Sequence, residues 1–227
     1  TCHKDHVEND RPGVKNFKPI GTYELPEYEE QQIFYPPLLE MLDYCCEQEF
    51  SQIHTATPGP IGLAALAVAK ILKLPISGTY HTSIPQYAQI LTGDSVIEDL
   101  AWKYVLWYYG QLDVIYAPSQ STADELIERG IKPEKIRVYP RGIDVDQYHP
   151  SKRNGVLKKW FSIEGGTNLI YVGRVSKEKN MHLLADAFKQ LSKEQPNTRL
   201  VVVGDGPYLH AMQQTMEGYP CYFTGYV

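Results

Sequence analysis

Cysteine is scarce in this 227-residue sequence: Cys2, Cys45, Cys46 and Cys221 are the only four, and none forms a C-x-x-C pair. That excludes the usual zinc pattern and a secreted disulfide framework, and it points to a reducing compartment. Adjacent Cys45 and Cys46 are poorly placed to bridge each other, because disulfide geometry is demanding. Neither sign of charge dominates. Lys plus Arg is 22 and Asp plus Glu is 27, a formal net charge of −5, which gives no global pull toward nucleic acid or an anionic membrane. A local basic site can still hold a phosphate. Long apolar runs are missing too. The longest, Ile61 to Ile76, is interrupted by Lys70 and Lys73 and ended by Pro75, too short and too charged to span a bilayer. The opening TCHKDHVENDRP is polar, lacks a starting Met and has no signal-peptide pattern, so a fragment is expected. Internal repeats and low-complexity tracts are absent.

What is present is ordinary globular composition, 43% hydrophobic and 22% charged, with enough apolar material for a sizeable core. The first 37 residues are rich in Pro and Glu and are expected to be irregular. Leu38 to Glu49 has apolar residues at helical spacing. Three strand–turn–helix passages follow. The first runs from Phe50–His54 through T-P-G-P to the helix IGLAALAVAKIL, where Pro60 suits a first turn. The second is Pro75–Tyr80, then His81-Thr82-Ser83, a loop, and a helix over Val96–Tyr109. The third is Asp113–Ala117 and the helix STADELIERG, with Ser121 and Asp124 in a capping-box arrangement and Gly130 as the stop. Ile136–Tyr139 is a fourth short strand, ending in P-R-G-I-D.

From Asp146 to Gly166 the strand pattern lapses, which marks a domain boundary. Alternation then restarts. The pattern predicts strands over Asn168–Val172, Arg199–Val203 and Cys221–Thr224, and helices over Met181–Glu194 and Tyr208–Met216. Leu184, Ala187, Phe188 and Leu191 are expected on one face of the former helix. Apolar strands alternating with helices indicate α/β architecture with parallel sheets covered on both faces. Two such halves predict two Rossmann-like, doubly wound domains, 1–147 and 148–227, facing across a cleft.

Open parallel sheets bind ligands beyond the carboxyl ends of their strands. Four segments stand there. In G-R-V-S-K-E-K-N (173–180), Gly173 admits a close approach, Arg174 offers a fork of donors, and Lys179 offers a compact charge near a helix start. A diphosphate cradle and a solvated basic loop are both open for it. V-G-D-G-P (203–207) makes a tight turn but lacks G-x-G-x-x-G, which favours a plain strand-to-helix turn. His81, at a strand's end, is suited to donating to a sugar hydroxyl or taking a proton; a packed or capped histidine is the alternative. His54 holds the corresponding place one strand earlier. Arg141-Gly142-Ile143-Asp144 suits either a cleft wall or a structural turn. The 17 tyrosines, including those of WKYVLWYY, are read as half-buried packing, and His182 and His210 as solvent-facing helix residues.

Taken in order, I-H-T-A-T-P-G-P-I-G, T-Y-H-T-S, A-P-S-x-S-T, P-R-G-I-D, Y-V-G-R-V-S-K-E-K-N, V-V-V-G-D-G-P and F-T-G-Y-V closely resemble glycosyltransferase family 4, retaining enzymes of the GT-B fold. The resemblance runs from about Gly13 to Val227. The segment around His54, followed by T-Y-H-T, looks most like the branch that acts on lipid-type acceptors.

The resemblance implies that Arg174 and Lys179 grip the donor diphosphate and that His81 reaches the donor sugar from the N-terminal domain. It places Gly173 and Gly204 beside the nucleotide and Val227 where the main chain meets the base; Asp144 ends the motif before the linker. It implies a nucleotide-diphosphate sugar as donor and a sugar, glycan or lipid as acceptor. No cofactor and no metal are expected, there being no DxD-like pair after a strand. Nucleic acid is not an expected partner. A cytoplasmic location is expected, with peripheral association at the inner membrane face in the full-length protein. The family's opening strand with its Gly-rich turn and its downstream Glu-x7-Glu element are not found in this sequence. The chain is therefore expected to be an internal fragment, both domains incomplete and inactive alone. A GT-B-fold epimerase or phosphorylase and a non-catalytic nucleotide-sugar-binding module remain the alternatives.

Overall fold

The computed structural model describes Cys2 and residues 13–25, 28–161 and 165–227. Its Cα packing divides the chain into two compact units, 1–141 and 142–227. The division falls just ahead of the 147/148 position and inside P-R-G-I-D.

The first unit opens with an antiparallel hairpin, β1 (Gly21–Leu25) and β2 (Tyr28–Tyr35), pairing Gly21 with Tyr35 and Tyr23 with Ile33. This corrects the expectation of an irregular segment through residue 37. Glu, which is depleted in strands, hides the alternation together with Gln, yet the two pair across it, with Gln32 Nε2 donating to Glu24 Oε1 at 2.9 Å. Helix α1 (Leu38–Glu47) follows, then β3 (Ile53–Thr55), α2 (Pro60–Leu72) and β4 (Ile76–Thr79). Pro60 occupies the first turn of α2, where a missing N–H costs nothing.

After β4 the sequence reading expects a loop up to residue 96. The structure has a helix there, α3 (Ile84–Thr92), with Pro85 in its first turn and Gly93 closing it in the left-handed region. Helix α4 (Ser95–Gly110) is capped by Asp94, whose Oδ1 accepts from the Val96 N–H at 2.8 Å. Then come β5 (Val114–Ala117), α5 (Gln120–Glu128) and β6 (Ile136–Val138). The cap of α5 is Ser119, whose Oγ accepts from Thr122 N at 3.2 Å, and not the expected Ser121.

Strands β3 to β6 form a parallel sheet in sequential order, with Thr55 beside Gly78, Gly78 beside Ile115 and Ile115 beside Ile136. That row is buried with Val105, Tyr108, Leu112 and Leu126. The opposite row carries exposed His54 and half-buried Ser77, Thr79 and Tyr116. Among the described residues this sheet is thus deeply covered on one face, where coverage of both was expected.

The second unit contains α6 (Val156–Phe161), β7 (Thr167–Val172), α7 (Met181–Glu194), β8 (Thr198–Val203), α8 (Leu209–Thr215) and β9 (Cys221–Phe223). Its strands are parallel in the order β7-β8-β9. Helix α7 buries Met181, Ala185 and Phe188, a stripe at i, i+4 and i+7; Leu184 and Leu191 are half-buried. Ala187, expected on the apolar face, is exposed. Among the described residues, no helix is long and apolar enough to cross a membrane.

Candidate active site

The densest candidate site lies at the carboxyl edge of the second unit's sheet. Directly after β7, burial alternates sharply. Val175 and Ser176 are fully buried and Glu178 nearly so, whereas Arg174, Lys177 and Lys179 are exposed. Val175 belongs to the same core as Phe188, Leu200 and Val202. The Ser176 hydroxyl donates to Glu178 Oε1 at 2.6 Å, and the Tyr171 hydroxyl donates to the Arg174 carbonyl at 2.7 Å. The loop is therefore pinned from beneath and presents three cations outward. Exposure keeps these cations hydrated, so holding them there costs little. A single turn over Lys177–Lys179 leads through Asn180, in the left-handed conformation, into α7. The start of this helix has no side-chain cap from Asn180, so its first N–H groups add positive potential beside the loop.

The turn after β8 packs against this loop backbone to backbone. Gly173 N–H donates to the Val203 carbonyl at 2.9 Å, Val175 N–H to the Asp205 carbonyl at 2.9 Å, and Tyr208 N–H to the Val175 carbonyl at 3.0 Å. Two glycines make the approach possible. Gly204 has φ +132°, and a Cβ there would sit 2.0 Å from the Gly173 carbonyl oxygen. Gly206 has φ +155°, and its Cβ would meet the Val175 carbonyl oxygen at 2.4 Å. An L side chain at either position meets both a strained backbone and a clash. The V-G-D-G-P segment is thus more than a strand-to-helix turn: it holds the basic loop. Gly204 N–H also donates to the Gly225 carbonyl at 3.0 Å, tying in the loop after β9, where Val227 is exposed.

One sheet edge in this unit therefore carries Gly173, Arg174, Lys179 and Gly204, with Val227 two residues past the tied Gly225. His81 belongs to the other unit. It is exposed just past the end of β4, between buried Tyr80 and half-buried Thr82. Tyr80 N–H donates to the Tyr116 carbonyl at 2.9 Å, extending the sheet to the residue before His81. His54 is different. It lies within β3, with Nδ1 2.9 Å from Ser77 Oγ and Nε2 3.1 Å from Thr79 Oγ1. Both ring nitrogens are engaged by hydroxyls, and the residue stands inside β3 instead of just past its end as expected. Asp144 Oδ1 accepts from Asp146 N at 3.0 Å and Gln147 N at 2.8 Å, the structural-turn reading of P-R-G-I-D.

Sequence reasoning passed over Lys177, the buried Ser176–Glu178 pair and the Tyr171 anchor. The available signal was the uncharged Val175-Ser176 step, the one interruption in a run of charged residues there.

Comparison with known proteins decides the family. The Glycosyltransferase Family 4 model matches residues 2–147, and the model described as Glycosyl transferases group 1 matches residues 156–223. The chain belongs to glycosyltransferase family 4. Among its family relatives is the alpha-monoglucosyldiacylglycerol synthase of Streptococcus pneumoniae, 30% identical over 84% of this chain and 44% of that protein. Another is the sulfoquinovosyl transferase SQD2 of Arabidopsis thaliana, 29% identical over 76% of this chain and 34% of that protein. The chain thus spans less than half the length of either relative. Among solved structures, Anabaena HepE in complex with UDP-glucose superposes with a TM-score of 0.65 at 19% identity, over 85% of this chain and 52% of that one. S. aureus TarM superposes with a TM-score of 0.63 at 10% identity, over 87% of this chain and 38% of that one. These likenesses establish the GT-B fold.

Proposed function

We propose that the protein transfers a sugar, with retention, from a nucleotide-diphosphate sugar to a lipid or glycan acceptor. Residues 148–227 serve as the front of the donor domain and 1–147 as the acceptor-side domain. The observation that carries this reading is the pinned basic loop: Arg174 and Lys179 stand exposed at the carboxyl end of β7, beside an uncapped helix start. When the sugar–diphosphate bond breaks, negative charge grows on the leaving phosphate. Fixed cations whose backbone is already immobilised stabilise that charge with little reorganisation. In this reading Gly173 and Gly204 let the nucleotide approach the main chain, Val227 meets the base, and His81 reaches the sugar. The names of the relatives favour a lipid acceptor, and with it action at the inner face of a membrane. The diphosphate charge is met by side chains, so the reaction proceeds without a metal.

The test uses the full-length gene product with a panel of nucleotide sugars, diacylglycerol or monoglucosyldiacylglycerol vesicles, and a chelator. Chelator-insensitive transfer to a lipid, with the donor's anomeric configuration kept, is the expected result. Donor consumption without an acceptor, or product of inverted configuration, overturns the reading.

A further inference from the structure

Helix α4 carries three tyrosines whose hydroxyls leave the helix and end at the carboxyl edge of the first sheet, on the last residues of β3 and β4 and on the turn after β3. Tyr109 Oη donates to the Thr79 carbonyl at 2.9 Å. Tyr104 Oη donates to the Pro58 carbonyl. Tyr108 Oη lies 2.9 Å from Thr55 Oγ1, and Thr55 Oγ1 donates to the Thr57 carbonyl at 3.2 Å. One helix thus supplies donors to the T-A-T-P-G turn after β3 and to the segment entering T-Y-H-T-S after β4. Aromatic packing reinforces the second: the Tyr80 and Tyr109 rings meet edge to face with centroids 5.3 Å apart. Loop 80–83 is then closed by Tyr80 Oη, 3.4 Å from Ser83 Oγ. Helix α3 beyond it is tethered by Gln86 Nε2, which donates to Glu125 Oε1 of α5 at 2.9 Å.

Packing alone accounts for aromatic rings at these places, and phenylalanine would serve it. The sequence has 17 tyrosines and 6 phenylalanines, and these α4 tyrosines spend their hydroxyls on carbonyls at strand ends, where ligands of parallel sheets bind. Burial raises the phenols of Tyr104, Tyr108 and Tyr109 above the usual value, so all three stay protonated donors through the neutral range.

We infer that Tyr104 and Tyr109 are positioning residues of the transferase: Tyr109 sets the backbone that presents His81, and Tyr104 sets the turn after β3 on the acceptor side. This rests on the proposed function, in which His81 meets the donor sugar. The substrate touches neither tyrosine in this arrangement; both act through the main chain they hold.

The experiment compares Tyr109→Phe and Tyr104→Phe in the full-length protein by amide hydrogen exchange and by steady-state kinetics. Removing one donor while keeping the ring should quicken exchange locally by about tenfold. In Tyr109→Phe the change falls on the Tyr80 and Ile84 amides; in Tyr104→Phe it falls on the Leu63 amide, whose acceptor is the Gly59 carbonyl. Tyr109→Phe should lower kcat about tenfold at unchanged nucleoside diphosphate affinity, and Tyr104→Phe should raise the acceptor KM. Unchanged exchange at these amides overturns the inference, as does faster exchange spread evenly through the unit. Local loosening with kcat and acceptor KM both within twofold of wild type reduces the tyrosines to a structural role and also overturns it. If wild type transfers no sugar from any donor, the functional reading fails, and the exchange pattern alone decides whether the hydroxyls set these loops.

Discussion

The loops after β4 and after β7 occupy equivalent places at the carboxyl ends of parallel strands, yet different chemistry holds them. In the first unit, side-chain hydroxyls from a neighbouring helix reach the backbone where the loop begins, as Tyr109 reaches Thr79, the last residue of β4. In the second, main chain chiefly meets main chain. The Gly173 and Val175 N–H groups donate to the Val203 and Asp205 carbonyls, and Tyr208 N–H donates back to the Val175 carbonyl. Glycine stands at 204 and 206, where a Cβ would intrude, and the Tyr171 hydroxyl on the Arg174 carbonyl is a side-chain tether beside this seam. A hydroxyl tether can be lost singly, leaving a loosened loop in an intact fold. A backbone seam has no side chain to trim, and any added atom must displace it. The second unit should therefore be brittle at its glycines and tolerant at its exposed cations.

The largest effect is expected from breaking that seam. Gly204→Ala combines an unfavourable φ with a Cβ 2.0 Å from the Gly173 carbonyl oxygen. Strain and overpacking together should cost roughly 4 kcal/mol of stability, read as a lowered urea midpoint for the second unit. A cost under about 1 kcal/mol would show that the two loops are not locked together.

Next come the cations on that seam. Arg174→Ala and Lys179→Ala should each lose roughly 2–4 kcal/mol of transition-state stabilisation in the full-length protein. Their unfolding midpoints should stay near wild type, because both side chains are exposed. Near-normal turnover in either variant removes the diphosphate assignment.

In the first unit, Gly62→Ala puts a Cβ 1.9 Å from the Thr57 carbonyl oxygen and 2.7 Å from Tyr108 Oη. Its backbone is ordinary, so only overpacking acts, at about 1–3 kcal/mol, measurable by denaturant titration. A smaller cost here than at Gly204 sharpens the contrast between tether and seam; an equal cost blunts it. His81→Ala should leave folding and nucleoside diphosphate affinity unchanged while slowing transfer by the worth of one hydrogen bond to substrate, about 1–2 kcal/mol. A destabilised variant with normal specific activity would return His81 to a packing role.

The last effect is absent at neutral pH and appears only in alkali. Burial pushes the Cys221 thiol from 9.0 up to about 12, and it raises the phenols of Tyr80, Tyr104, Tyr108 and Tyr109 above 10.0. In the unfolded chain these groups ionise at their ordinary values. The unfolded state then holds fewer protons than the native one, and stability falls as pH rises. The second unit should begin to weaken near pH 9, the ordinary value of a thiol. In the first, the Cys2 and Cys45 thiols, also raised by burial, begin in the same range, and the phenols add to it nearer pH 10. Cys221→Ala should remove the phase beginning near pH 9 from the second unit's urea transition, followed between pH 8 and 11; a phase that persists in that unit assigns it elsewhere.

Periodic elements were legible in the sequence. Helix α7 spans Met181–Glu194 as the apolar spacing predicts, and the parallel strands fall where apolar runs stop at turn residues. What was hidden has specific causes. Helix α3, nine residues long between T-Y-H-T-S and α4, lay inside the stretch expected as a loop. The β1–β2 hairpin lay under Glu and Gln set between its Tyr, Ile and Phe residues. Arg174 and Lys179 stood out because the chemistry and the strand end are adjacent in sequence. The tyrosine tethers did not, because Tyr104 and Pro58 lie 46 residues apart and Tyr109 and Thr79 lie 30 apart. A hydroxyl's partner across such a span is fixed by packing, and no local pattern encodes it.

Calorimetric titration of the wild type, Arg174→Ala and Lys179→Ala with a nucleoside monophosphate and its diphosphate tests the donor-site claim most directly. The pinned-loop account predicts that wild type prefers the diphosphate by about tenfold or more, the worth of charge-assisted hydrogen bonds to the added phosphate. Both variants should lose that preference while still binding the monophosphate and keeping their unfolding midpoints. Equal preference in all three proteins would place the diphosphate elsewhere and contradict the account.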